Sequence, residues 1–210
     1  MPLDISGRND LLSKAFRQAG KGRFVRLDAH KESWTQLREG YRLETYQNGA
    51  LTMATLIANV RQKLLLSVFL TMIDQLGNTV DVIVETSHES RKGKHKDLFR
   101  GDIDLSVLKS ICLDFEDILI QDGCTGIAVM SQEKPLEIQL REHKFLVVYA
   151  DRLKAFRKIL EADGIRRNDT MQLVTDGPHL RWIPDGAQKR FGELKNRLSA
   201  EEWDDTAMDD

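Results

Sequence analysis

Long hydrophobic runs are missing from this chain, which excludes the simplest membrane topology. The longest, from Leu64 to Ile73, falls well short of the roughly twenty residues that a spanning helix needs. Cysteine is scarce as well. Only Cys112 and Cys124 are present, too few for a disulfide framework, and both read as small buried hydrophobes, one on the apolar face of a helix and one just past its end. The stretch from Met1 to Gly20 lacks the apolar core of a signal peptide, being interrupted by Asp4, Arg8, Asp10, Lys14 and Arg17. Together these absences predict a cytoplasmic location, where thiols stay reduced. Positive charge is not in excess either, and a net charge of −2 argues against a surface built to coat nucleic acid. The basic set Arg152, Lys154, Arg157, Lys158, Arg166 and Arg167 has no interleaved aromatic residue to stack on bases and reads as a solvated face. Neither membranes nor nucleic acid are expected partners.

What is present is globular material. With 41% apolar residues in 210, the chain can bury a core without staples, and its length favours one domain over 1–198. Residues 199–210 carry six acids and no base, which predicts a disordered tail. Leu11, Leu12, Ala15, Phe16 and Ala19 recur at helical spacing, so a short amphipathic helix is expected within 1–20. Further on, 42–47 and 50–56 flank Asn48-Gly49, a pair that tolerates positive φ at both positions of a two-residue hairpin turn. Asn59 is placed to cap a helix through Leu76 whose apolar residues cover more than one stripe. Such a helix is either buried on several sides or part of a homodimer interface.

The stretch from Thr79 to Met130 organises the rest. Val80 to Val84 reads as an interior strand, 85–100 as a charged solvated loop, and Leu105 to Leu119 as one amphipathic helix capped by Asp104 and stopped by Gly123. Gly126 to Met130 is the next buried strand. Leu136 to Leu140 and Phe145 to Tyr149 complete a three-strand meander. Asp151 is expected to cap a helix ending at Gly164, Met171 to Val174 to form a last strand, and Gln188 to Leu198 a last helix. The order predicts an α+β fold with a mixed, largely antiparallel sheet and helices packed mainly on one face.

Chemistry, if present, is expected in the 85–104 region. Glu85, His88 and His95 combine imidazole and carboxylate at a strand end and in the following loop, a donor set that suits Zn, Mn or Fe. Arg91, Lys92 and Lys94 stand among them, where they could face a phosphate or simply solvate the loop. Asp102-Ile103-Asp104 resembles the Asp-x-Asp signature of the nucleotidyltransferase superfamily over about fifteen residues, though Glu89-Ser90 stands where that family has Gly-Ser. The resemblance implies that Asp102 and Asp104 bind a metal and that Ser90 approaches a phosphate, whereas helix capping by Asp104 is the competing explanation. Glu116, Asp117 and Asp122 fall in the second half of the expected helix, where the dipole disfavours acids. They are read as a partner-binding face or as carboxylates paired to neighbouring cations. In the absence of any complete catalytic motif, the leading expectation is a non-catalytic binding or regulatory domain that uses the 85–104 loop toward a protein or small-molecule partner and requires no cofactor. The alternative is a divalent-metal-dependent enzyme acting on a nucleotide or phosphorylated substrate.

Overall fold

The computed structural model describes residues 38–48, 51–88, 96–176 and 182–202. Alternating or continuous apolar strands pair into one eight-stranded sheet in the order β1-β2-β7-β6-β5-β3-β4-β8, with every adjacent pair antiparallel. The strands are β1 (Gly40–Asn48), β2 (Leu51–Asn59), β3 (Thr79–Thr86), β4 (Lys96–Asp104), β5 (Thr125–Ser131), β6 (Leu136–Leu140), β7 (Leu146–Ala150) and β8 (Glu201–Glu202). Helix α1 (Gln62–Ile73) carries the chain from β2 to β3, which run parallel to each other with the β5-β6-β7 meander between them. Helices α2 (Leu105–Asp114), α3 (Glu116–Gln121), α4 (Lys154–Ala162) and α5 (Ala187–Leu198) follow. The fold is α+β, and no described helix is long and apolar enough to cross a membrane.

Side-chain parity divides the sheet. Leu56, Ala58, Val80, Val82, Val84, Ile127, Val129, Ile138 and Val148 form one cluster with the apolar residues of all five helices, led by Leu65, Phe69, Leu108, Phe156 and Phe191. The opposite face carries Met53, Ile57, Val147 and Tyr149, the smaller group Ile83, Ala128 and Met130, and a buried polar series, Glu85, Glu137 and Gln139. Helix α1 buries Leu65, Leu66, Val68, Phe69, Leu70, Met72 and Ile73 within the single chain, so its wide apolar girth is used up by the core.

Several boundaries depart from the sequence expectation. Asn48 is itself paired, with Leu51, as the last residue of β1, and residues 49–50 lie outside the described set. Asn59 ends β2 and its amide donates to Gln172 O at 2.8 Å instead of capping α1. The charged segment after β3 is shorter than expected, because Lys96 to Asp104 pairs along β3 as a full strand. Helix α4 starts at Lys154, beyond Asp151, and the stretch before Asp176 makes only a 3₁₀ turn, Val174–Asp176. Glu201 and Glu202, the first acids of the tail, pair with Phe99 and Leu98. The N-terminal helix expected within 1–20 lies outside the described residues, as do 203–210.

The expected long helix from Leu105 is two. Phe115 leaves helical geometry at φ −116°, ψ 25°, and the chain restarts as α3 with Glu116 and Asp117 in its first turn. At that end of a helix the dipole favours negative charge, so the apparent violation disappears for Glu116 and Asp117, while Asp122, the C-cap of α3, stays at the unfavourable end. Asp104 caps α2, its carboxylate accepting from Ser106 Oγ at 2.6 Å, Ser106 N at 2.8 Å and Val107 N at 3.3 Å, and these bonds, the hydroxyl's first, hold its pKa below the ordinary value. Replacing Asp104 by alanine is expected to lower the melting midpoint by roughly 2–4 °C. A thermal melt at neutral pH checks this, and the difference from wild type should vanish in strong acid, where the native carboxylate is protonated and no longer caps.

Candidate functional site

Buried polar groups gather where three chain segments meet: the end of β3 with the residues after it, the α3–β5 connection, and the β6–β7 turn. Ser87 N donates to Cys124 O at 3.1 Å, extending the β3–β5 pairing past the last strand residues and bringing His88 beside Asp122. His88 Nε2 lies 2.7 Å from Asp122 Oδ2, and both side chains are nearly inaccessible. Thr125 Oγ1 donates to the same oxygen, while Cys124 N donates to Asp122 Oδ1 at 3.1 Å. Burial opposes ionisation of Asp122, but the His88 and Thr125 hydrogen bonds, the His88 charge and the Cys124 N–H outweigh it and hold its pKa below the usual carboxylate value. The His88 ring packs 5.6 Å from the ring of Phe191 on α5, which closes the helical side.

The β6–β7 turn supplies the cation. Lys144 adopts a left-handed backbone, φ 62°, and its ammonium donates to Leu119 O at 2.8 Å and Thr125 O at 2.9 Å. Burial pushes its pKa down to about 8, against the favourable fields of Asp122, Glu142, Cys124 and Glu85. Lys144 also borders a cleft of about 370 Å³ lined by Val60, Gln62, Leu65, Ile120, Gln121 and Trp182. Glu85, 2% exposed, lies on the sheet face directly opposite Gly126. A Cβ on Gly126 would come within 3.1 Å of Glu85 Oε2 and 3.0 Å of Glu142 N, so the carboxylate fits only because that position has no side chain.

The expected site residues therefore separate. Glu85 and His88 lie at this end of the β3–β4 pair, with Thr86 opposite Lys96. Asp102 and Asp104 lie at the other end, where Thr79 is opposite Asp104. Seven residues of strand separate the two ends by roughly 23 Å, too far for one ion. Asp102 occupies a β-bulge, φ 55°, where its amide donates to Asp81 Oδ1 and Gln132 Nε2 bridges the two carboxylates. Capping by Asp104 and the bulge at Asp102 account for both acids. Arg91 and His95 lie outside the described residues. Asp117 pairs with Arg190 of α5 at 3.1 Å, leaving Glu116 on the surface and Asp122 buried, so the three acids share no face. Sequence reasoning did not bring Asp122 and Cys124 to His88, nor did it single out Lys144. The one local signal was a buried-type cysteine two residues after an aspartate in a helix-terminating turn. Comparison with protein-family models, curated proteins and solved structures found no match to this chain.

Proposed function

We propose that the chain is a non-catalytic binding or regulatory domain of the cytoplasm that presents the β3–β4 connection to a protein or small-molecule partner. The observation that carries this reading is the His88 to Asp122 bond at 2.7 Å, which fastens the root of that connection to the rigid α3–β5 turn. A connection rooted on paired strands at both ends, Thr86 opposite Lys96, offers fixed anchor points from which intervening charged residues reach a ligand. The acids expected to form a phosphate-handling centre are occupied elsewhere, capping α2 and bracing a bulge. Burial of the α1 apolar face within one chain removes the sequence argument for a homodimer, and the two buried thiols accord with a reducing compartment.

The test is comparative capture. Residues 89–95 are exchanged for a glycine-serine segment of equal length, and the exchanged and wild-type chains are used as baits under identical conditions. A partner held by the wild type and lost by the exchange, with the melting midpoint moved by less than about 2 °C, supports the reading. Identical partners on both baits would sink it.

A further inference from the structure

The geometry points to a binding site for a divalent transition-metal ion, best matched to Zn²⁺, formed by His88, Asp122 and Cys124. One donor atom from each of the three lies within 4.8 Å of the other two, and the three are imidazole nitrogen, carboxylate oxygen and thiol sulfur. This mixed N, O and S set suits zinc, with bonds of about 2.0–2.1 Å to nitrogen, 2.0–2.2 Å to oxygen and 2.3 Å to sulfur. Three protein donors leave a fourth tetrahedral position for water or a ligand.

The donors are held, not merely near. Asp122 is fully buried, Cys124 is 4% exposed, and Asp122 and Cys124 belong to one tight turn closed by the Cys124 N–H bond to Asp122 Oδ1. Thr125 and Cys124 N orient the carboxylate as an outer shell orients a metal ligand, and the imidazole packs 5.6 Å from the Phe191 ring. Binding requires the 2.7 Å contact between His88 Nε2 and Asp122 Oδ2 to open to the roughly 3.3 Å that separates two ligands on a tetrahedral zinc. The adjustment falls on the imidazole, because the Asp122 carboxylate is held by Thr125 Oγ1 and Cys124 N. Cys124 binds as thiolate, its proton passing to solvent, so that thiolate and carboxylate together neutralise the dication. The Lys144 ammonium is hydrogen-bonded to Leu119 O and Thr125 O, so its donors are engaged by carbonyls and not by the three metal donors, and its charge opposes the dication while those of Asp122 and the Cys124 thiolate attract it.

This set is not the one expected from sequence. It keeps His88, replaces Glu85 and His95 with residues from the α3–β5 turn, and does not rest on the partner-binding reading. If both hold, metal occupancy would set how firmly the root of the β3–β4 connection is fixed.

The test uses the full chain, stripped with EDTA and kept reduced, titrated with Co²⁺ alone as spectroscopic probe and then with Zn²⁺ as competitor. Expected are one Co²⁺ per chain, visible bands of tetrahedral intensity, and a near-ultraviolet thiolate-to-cobalt band that Zn²⁺ abolishes. Cys124→Ser should remove the thiolate band and weaken binding by more than about 100-fold, beyond the loss that outer-shell changes cause. Cys112→Ala, in the core on the buried face of α2 and not among the three donors, should leave the spectrum intact. Since Asp122→Asn could unfold the chain, the near-isosteric Cys124→Ser and His88→Gln variants carry the assignment, each checked by circular dichroism. A saturable spectrum unchanged in Cys124→Ser, or no spectrum and no Zn²⁺-induced rise in melting midpoint for the wild type, would overturn the site.

Discussion

Replacing Asp122 by alanine is expected to cost the fold about 3–5 kcal/mol, the range seen when one member of a buried charge pair is removed. The carboxylate is 0% exposed and takes hydrogen bonds from His88, Thr125 and Cys124 N, and its field favours the charged form of the nearby Lys144 ammonium. Its removal leaves four polar groups short of a partner or counter-charge in a volume that water enters poorly. The loss should appear as a lower urea midpoint with an unchanged slope, measured in EDTA so that no metal contributes to either protein. Asp122→Asn deletes the charge but keeps one acceptor oxygen, enough for either Cys124 N or Thr125 Oγ1, which bond different carboxylate oxygens, and should recover part of the loss. A drop below about 1 kcal/mol for alanine would mean that the cluster relaxes or hydrates, and that the root of the β3–β4 connection is not fastened by this carboxylate.

The contrast between Asp104 and Asp122 shows how far the residues alone could be read. Asp104 is legible because its role is local. A carboxylate just before an apolar 3.6-residue pattern can cap that helix whatever surrounds it, and it does. The meander β5-β6-β7 is legible for the same reason, since short connections join strands that are buried on both faces. Asp122 is not, because its partner His88 is 34 positions away and arrives only when β3 pairs with β5. Lys144 reaches Leu119 O across 25 positions. Lys96 to Asp104 was opaque for another reason. Its apolar residues are too sparse to show an alternating strand, and its pairing is imposed by β3 on one side and β8 on the other. The break at Phe115 was hidden by an unbroken spacing of apolar residues, although the acids at 116 and 117 mark a new N-terminus once the break is known.

Glu137→Gln should stabilise the protein at pH 8 and above by an amount on the order of 3 kcal/mol, with the gain fading toward pH 4. Glu137 is completely buried on the second face of the sheet, opposite Met130 and Tyr149 in the two flanking strands. Its Oε1 accepts from Gln139 Nε2, and Gln139 Oε1 in turn accepts from Arg141 Nη1 at 3.2 Å. Burial pushes its pKa up to about 7, more than the Gln139 bond and the Arg141 charge pull it down. The folded chain therefore keeps a proton that the unfolded chain releases near pH 4.5. The stability this residue contributes is complete below pH 4.5, declines as pH rises, and is gone above about pH 7. The gap between 4.5 and about 7 corresponds to roughly 3 kcal/mol at 1.36 kcal/mol per tenfold change in proton affinity. Glutamine keeps the carbonyl that Gln139 needs and cannot ionise, so it removes the slope without removing the bond. The measurement is the difference in unfolding free energy between variant and wild type at pH 4, 6 and 8, which isolates this residue from every other titrating group. A difference that is flat with pH would mean that Arg141, or water reaching the second Glu137 oxygen, stabilises the carboxylate enough to hold its pKa near 4.5. The polar series Glu137, Gln139 and Arg141 would then behave as a solvated channel through the sheet face and not as part of its core.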